Sequence, residues 1–133
     1  MSLPTLDLRS EGPRLLLTHS DLAFLIPAVR ILGRRGWSVY VAESADEVRR
    51  LVRQLTPEVV LLATRLPDES GWLTCDKLVR ENPDTRVFLM DAAPSEADHQ
   101  FAEFVGAAGL IEEGDLDALP SWGDMERAFQ TAG

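Results

Sequence analysis

The sequence predicts a doubly wound α/β domain, a five-stranded parallel sheet with helices on both faces. Two observations carry that expectation. Five short apolar or β-rich runs of strand length recur along the chain, and stretches with apolar residues at helical spacing fall between them. Such alternation builds parallel βαβ units with right-handed crossovers. The third run, Val59–Leu62, is uninterrupted in its apolarity, as a strand covered on both faces must be.

The elements follow in order. Leu15-Leu16-Leu17 reads as a buried first strand. Leu22, Leu25, Val29 and Leu32 recur at helical spacing and run to Arg34-Arg35-Gly36, basic residues then a glycine, as a helix C-terminus favours. Pro27 inside this helix is expected to kink it or delay its start. Trp37–Val41 alternates and is β-rich, a second strand. Ser44-Ala45-Asp46-Glu47 has the spacing of a capping box, and Ala45, Val48, Leu51, Val52 and Leu55 form one stripe that stops before Pro57. Trp72, Cys75 and Val79 mark a third helix closed by Asn82-Pro83, and Val87–Met90 a fourth strand. Ser95 can cap a fourth helix with Ala97, Phe101, Phe104, Val105 and Ala108 turned inward. Leu110-Ile111 is a short fifth strand. A turn near Leu116–Leu119 and a helix near Asp124–Thr131, separated by Pro120, complete the chain.

A chain of 133 residues fits one domain, here residues 13–133 after a lead-in of residues 1–12. No apolar run approaches the ~20 residues of a membrane span. The N-terminus has no signal-peptide pattern, and the single cysteine, Cys75, has no internal disulfide partner. A reducing, cytoplasmic setting is the expectation.

The net charge of −9 is confined. Residues 1–90 carry twelve bases and twelve acids, whereas residues 91–133 carry ten acids against Arg127 alone. A surface of that sign repels phosphate backbones, which argues against nucleic-acid binding, and it attracts a basic protein face. There is no G-x-G-x-x-G and no G-x-x-x-x-G-K loop, so no nucleotide, cofactor or other small-molecule ligand is expected.

In open parallel sheets, ligand chemistry sits at the carboxyl ends of the strands. Those ends are near Thr18-His19-Ser20-Asp21, Ala63-Thr64-Arg65, Asp91-Ala92-Ala93 and Glu112-Glu113. His19, Asp91 and Glu113 are one combination that a transition metal or an enzymatic mechanism could use. A polar pocket in which His19 and Arg65 offset the two acids is the other reading. His19-Ser20-Asp21 has the content of a hydrolytic triad, but sequence neighbours rarely assemble one and no G-x-S-x-G elbow exists. Cys75 reads as a packed thiol and His99 as a solvated side chain. Trp72 and Trp122 each admit a packing role or a binding role.

The run Pro57–Gly71 is an apolar strand opened by Pro57 and followed by Leu66-Pro67 and Gly71. Gly36-Trp37 precedes the second strand, and Gly106-Ala107 precedes the fifth. From Arg14 to Gly114, about three-quarters of the chain, this pattern resembles the response-regulator receiver family, the CheY-like domains. The resemblance implies an aspartate at position 63 that accepts a phosphoryl group, and the residue there is Ala63. It implies two acids that hold Mg²⁺ after the first strand, and those positions are His19 and Ser20, with Asp21 one step on. The hydroxyl residue ending the fourth strand is replaced by Asp91, and the Lys-Pro pair after the fifth by Glu113-Gly114. Leu110 stands at the usual aromatic switch position.

Phosphoryl transfer depends on positioning and on charge neutralisation. Without the nucleophile and the lysine, the implied molecule is a pseudo-receiver: a non-enzymatic interaction module that works without phosphate, with no cofactor and no metal. The family's partner surface corresponds to residues 95–131, where Glu96, Glu103, Glu112, Asp115 and Asp117 stand. The expected partner is a protein, or a neighbouring domain, with a basic face.

Overall fold

The computed structural model describes residues 12–132. The expected lead-in, residues 1–12, lies outside the described residues except for Gly12. Five strands form one parallel sheet: β1 (Arg14–Thr18), β2 (Ser38–Ala42), β3 (Val59–Ala63), β4 (Arg86–Asp91) and β5 (Gly109–Glu112). Their order is β2-β1-β3-β4-β5, with every pair parallel. The helices are α1 (Leu22–Arg34), α2 (Ala45–Leu55), α3 (Gly71–Glu81), α4 (Glu96–Phe104) and α5 (Trp122–Ala132), with a short 3₁₀ turn at Leu116–Ala118.

The period of two along each strand splits the core into two layers. Leu15, Leu17, Leu61, Ala63 and Met90 face one side, with Leu25, Leu32 and Met125. Leu16, Val60, Leu62 and Leu89 face the other, with Val48, Val52, Cys75 and Leu78. All five residues of β3 are buried, as its unbroken apolarity demands. No helix among the described residues is long and apolar enough to cross a membrane.

Several local expectations shift. The start of α1 is not delayed by Pro27: it begins at Leu22, where the Asp21 carboxylate caps it by accepting from the Ala23 N–H. At α2, Ser44 Oγ accepts from the Glu47 N–H as the box requires, but the Glu47 carboxylate accepts from the Glu43 N–H instead of that of Ser44. The reciprocal box forms at α4, where Ser95 and Asp98 each accept from the other's N–H.

The largest correction concerns the face of α4. Ala102 and Val105 are buried there, while Ala97 and Ala108 are exposed, Phe101 is 44% exposed and Phe104 is 83% exposed. The helix ends at Phe104, and the chain turns at Gly106 with φ +86° against Val79, so only one short side of α4 meets the sheet.

Candidate functional site

The carboxyl ends of β1, β3, β4 and β5 enclose an open cavity of about 510 Å³ at the end of the sheet where the strand order reverses. It is lined by His19, Ser20, Thr64, Arg65, Asp91 and Glu113, among others. Of the residues singled out in the sequence, His19, Ser20, Arg65, Asp91 and Glu113 therefore share one space. Ala63 and Asp21 do not line it. Ala63 is 2% exposed and packs into the core at the end of β3, and Asp21 is occupied as the cap of α1.

Two hydrogen-bonded pairs define the site. His19 Nδ1 accepts from the Asp21 N–H at 3.0 Å. A backbone N–H can only donate, so the ring proton lies on Nε2 and is donated to Glu113 Oε2 at 3.1 Å. The ring also stacks on Phe24 at a centroid distance of 4.3 Å, which fixes its plane. The second pair was not anticipated from the sequence. Thr64, one residue past β3, donates its hydroxyl to Asp91 Oδ2 at 2.5 Å, and the Ala93 N–H donates to Asp91 Oδ1 at 3.0 Å. The Thr64 hydroxyl, then the Ala93 amide, hold the Asp91 carboxyl below its ordinary value of 3.8, against the opposing effect of burial; the positive charge of Arg65 adds to the lowering. Asp91 is thus an ionised acceptor with both oxygens engaged.

The loop from β3 into α3 is held from both sides. Gly71 sits so close to the end of β3 that a Cβ there would lie 1.9 Å from the Ala63 carbonyl oxygen, so no side chain fits. Asp68 accepts from the Ala45 and Asp46 N–H groups at the start of α2, and these two bonds lower its pKa. Glu69 accepts from Lys77 Nζ at 2.7 Å and from the Thr74 hydroxyl at 2.6 Å, and those bonds lower its pKa in turn. A loop carboxylate that meets two helix-start amides more than twenty residues earlier is a signal in the sequence only when the pairing of loop and helix is already known.

The residues present do not fit a magnesium ion. Mg²⁺ needs near-octahedral oxygen ligation from carboxylates and water. Here an imidazole and a serine hydroxyl follow β1, the Asp21 carboxylate caps a helix, and Glu113 is bonded to His19. Nor does a transition-metal centre assemble from His19, Asp91 and Glu113. His19 pairs with Glu113 while Asp91 pairs with Thr64, and among the described residues no three His, Cys, Asp or Glu side chains converge on one point.

Elsewhere, Cys75 is fully buried, and burial pushes its thiol up to about 12, so it is inert packing. His99 is exposed. Trp122 packs edge-on against Trp37 at 6.1 Å, with the Arg86 guanidinium 5.2 Å over its ring, a local packing role. Glu96, Glu103, Glu112, Asp115 and Asp117 are all exposed.

The family model described as the response regulator receiver domain matches residues 19–114. Among curated proteins, the chain is 32% identical over 109 residues to the probable transcriptional regulatory protein TcrX of Mycobacterium tuberculosis, covering 80% of this chain and 44% of that one. It is 25% identical over 99 residues to the photosynthetic apparatus regulatory protein RegA of Rhodobacter capsulatus, covering 74% and 54%. The chain spans about half the length of these relatives. Among solved structures, a two-component response regulator of the LuxR family from Aurantimonas sp. superposes with a TM-score of 0.74 at 21% identity, covering 92% and 85% of the two chains. A CheY-like receiver domain protein from Methanospirillum hungatei superposes with a TM-score of 0.70 at 21% identity, covering 91% and 94%. These likenesses establish the fold.

Proposed function

We propose, from the premise that this chain belongs to the response regulator receiver domain family, that it is a receiver which signals without accepting a phosphoryl group. It is a module of two-component signalling, and its proposed mode of action is protein interaction alone. The observation that carries this reading is that residue 63, where the receiver resemblance implies the acceptor aspartate, is alanine. A methyl group has no lone pair with which to attack phosphorus. The surroundings support the same conclusion. Asp91 and Glu113 put two carboxylates into the cavity where a phosphoryl group would sit, and like charge there opposes a phosphoryl dianion.

In this reading the cavity's polar pairs are a lock rather than a reaction centre. The His19–Glu113 and Thr64–Asp91 pairs tie β1 to β5 and β3 to β4, and they hold the loops in one arrangement. The domain is non-enzymatic, resides in the cytoplasm and does not bind nucleic acid itself. Its partner is a protein or neighbouring domain with a basic face, met through the exposed acids Glu96, Glu103, Glu112, Asp115 and Asp117. The metal-binding and enzymatic alternative gains no support from the way the pairs are arranged.

The test is incubation with acetyl phosphate and Mg²⁺, followed by intact mass. No phosphoryl adduct is expected on the wild-type domain. An adduct mapped to any acid lining the cavity would overturn the proposal.

A further inference from the structure

The two phenylalanines that sequence periodicity assigns to the core lie on the surface instead, and they do not lie alone. Trp72 of α3 packs against Phe101 of α4 at 5.1 Å between centroids, and Phe101 stacks on Phe104 at 5.9 Å with the rings 17° apart. Leu73, 47% exposed, extends the apolar surface along α3. Together with Ser70 and Asp76 these side chains line an open groove of about 420 Å³ between the two helices, which shares no lining residue with the His19–Asp91 cavity. Isolated exposed apolar residues need no explanation, but a contiguous aromatic row does. Aromatic side chains set in a groove are the usual anchors of protein recognition.

We infer that this α3–α4 groove receives the apolar face of a basic amphipathic helix, with its aromatic row as the anchor and the exposed acids of α4 beside it as the guide. The shape argues for a helix. A groove between two helices with aromatic rings spaced along it matches apolar side chains at i, i+3 or i+4, and i+7. The sign of the partner follows from the charge on α4 beside the groove. The exposed polar side of α4 carries Glu96 and Glu103, and α4 contains neither lysine nor arginine. On α3, Arg80 is bonded to Asp76 at 3.2 Å, so the one cation that lines the groove is already matched by an acid. A second copy of this chain would bring the same acids face to face, which disfavours self-association through this surface. The inference deepens the interaction role proposed above and rests on it only in part, since groove binding does not require the phosphate pocket to be silent.

The experiment is a selection of displayed random 16-residue peptides on the wild-type domain, in buffer without Mg²⁺ or beryllofluoride, with counter-selection on Phe104→Ser. Phe104 is 83% exposed, so this variant keeps the fold, which circular dichroism checks. Peptides retained by the wild type and weakened at least tenfold by Phe104→Ser are expected to carry apolar residues at helical spacing and net positive charge. Leu73→Ser, on the opposite wall, is expected to weaken the same peptides. Enrichment that ignores both substitutions, enriched peptides of neutral or acidic character, or no enrichment would each overturn the inference. So would a wild-type dimer in sedimentation that Phe104→Ser abolishes, because the occupant would then be a second copy. If the enriched peptides bind the wild type at least tenfold tighter once beryllofluoride and Mg²⁺ are added, the groove assignment stands and the phosphate-independent reading fails, so the two claims separate.

Discussion

At position 63 a methyl group ends β3 inside the core, and restoring the carboxylate there is predicted not to restore chemistry. Ala63→Asp would place a charge at a site 2% exposed, in a layer formed by Leu15, Leu17 and Leu61. A buried polar group without a partner costs about 1–3 kcal/mol and a charged one more, so urea unfolding should show a loss of at least that size. Acetyl phosphate should still leave the variant unmodified, because no lysine lines the adjoining cavity and its two acids, Asp91 and Glu113, are already bonded to Thr64 and His19. A second prediction concerns Asp91. Its folded pKa is lowered, first by Thr64 and then by the Ala93 amide. A group whose folded pKa is depressed contributes stability above its unfolded pKa, here near 3.8, and loses it as pH falls through the lower folded value. Thr64→Val should therefore lower stability at neutral pH and flatten the acid limb below about pH 4, read from urea midpoints at several pH values. At this scale, His19, Ser20, Arg65, Asp91 and Glu113 of the residues singled out in the sequence line the cavity at the sheet's carboxyl end, and Ala63 and Asp21 do not. The Thr64–Asp91 and Asp68–α2 bonds were not legible, because each joins positions more than twenty residues apart that become neighbours only once the crossovers are set.

Among the described residues, the one strained non-glycine backbone position closes α2. Thr56 closes it with φ 42°, in the left-handed region, and its exposed side chain bonds only the neighbouring Leu55 carbonyl. A β-branched residue there is unfavourable, and glycine adopts the conformation freely. Thr56→Gly is predicted to raise stability by up to about 1 kcal/mol, measured as a rise in the midpoint of thermal unfolding. A fall would mean that the Thr56 hydroxyl contributes more than the strain costs. Strands and helices were legible in the sequence because continuous apolarity and helical periodicity are local signals, and each expected element is present with its bounds shifted by a few residues. The face of α4 was misread for a physical reason. Phe101, Phe104, Val105 and Ala108 satisfy a helical stripe, but the helix stops at Phe104 and the chain turns at Gly106. The small Ala102 and the post-helical Val105 fill the space against the sheet, which leaves the rings outside. Periodicity reports that a face is apolar; it does not report whether the domain itself or a partner covers it.

For the whole molecule, the charge distribution sets how it meets other proteins. Ten acids against one base in residues 91–133 account for the full −9, and the acids named on α4, β5 and the following turn are exposed. The domain is predicted to stay monomeric at low salt with respect to that face, and sedimentation at low and high ionic strength checks this. Binding of a basic partner should weaken steeply as salt rises, since exposed charge pairs are screened within about 10 Å at 0.1 M. The fold class was readable at this scale because strand–helix alternation admits few topologies, and the charge asymmetry needs only counting. The partner was not readable, because complementarity is a property of two surfaces. The central claim is that this receiver has kept its architecture and left its phosphorylation chemistry behind. Its most direct test is a titration of beryllofluoride with Mg²⁺ into the domain, followed by amide chemical shifts. Beryllofluoride mimics a phosphoryl group on a carboxylate and needs an acceptor. The account predicts no specific shifts around residues 63, 91 and 113. Saturable shifts clustered at those residues would show that another acid has taken over as acceptor, and would contradict it.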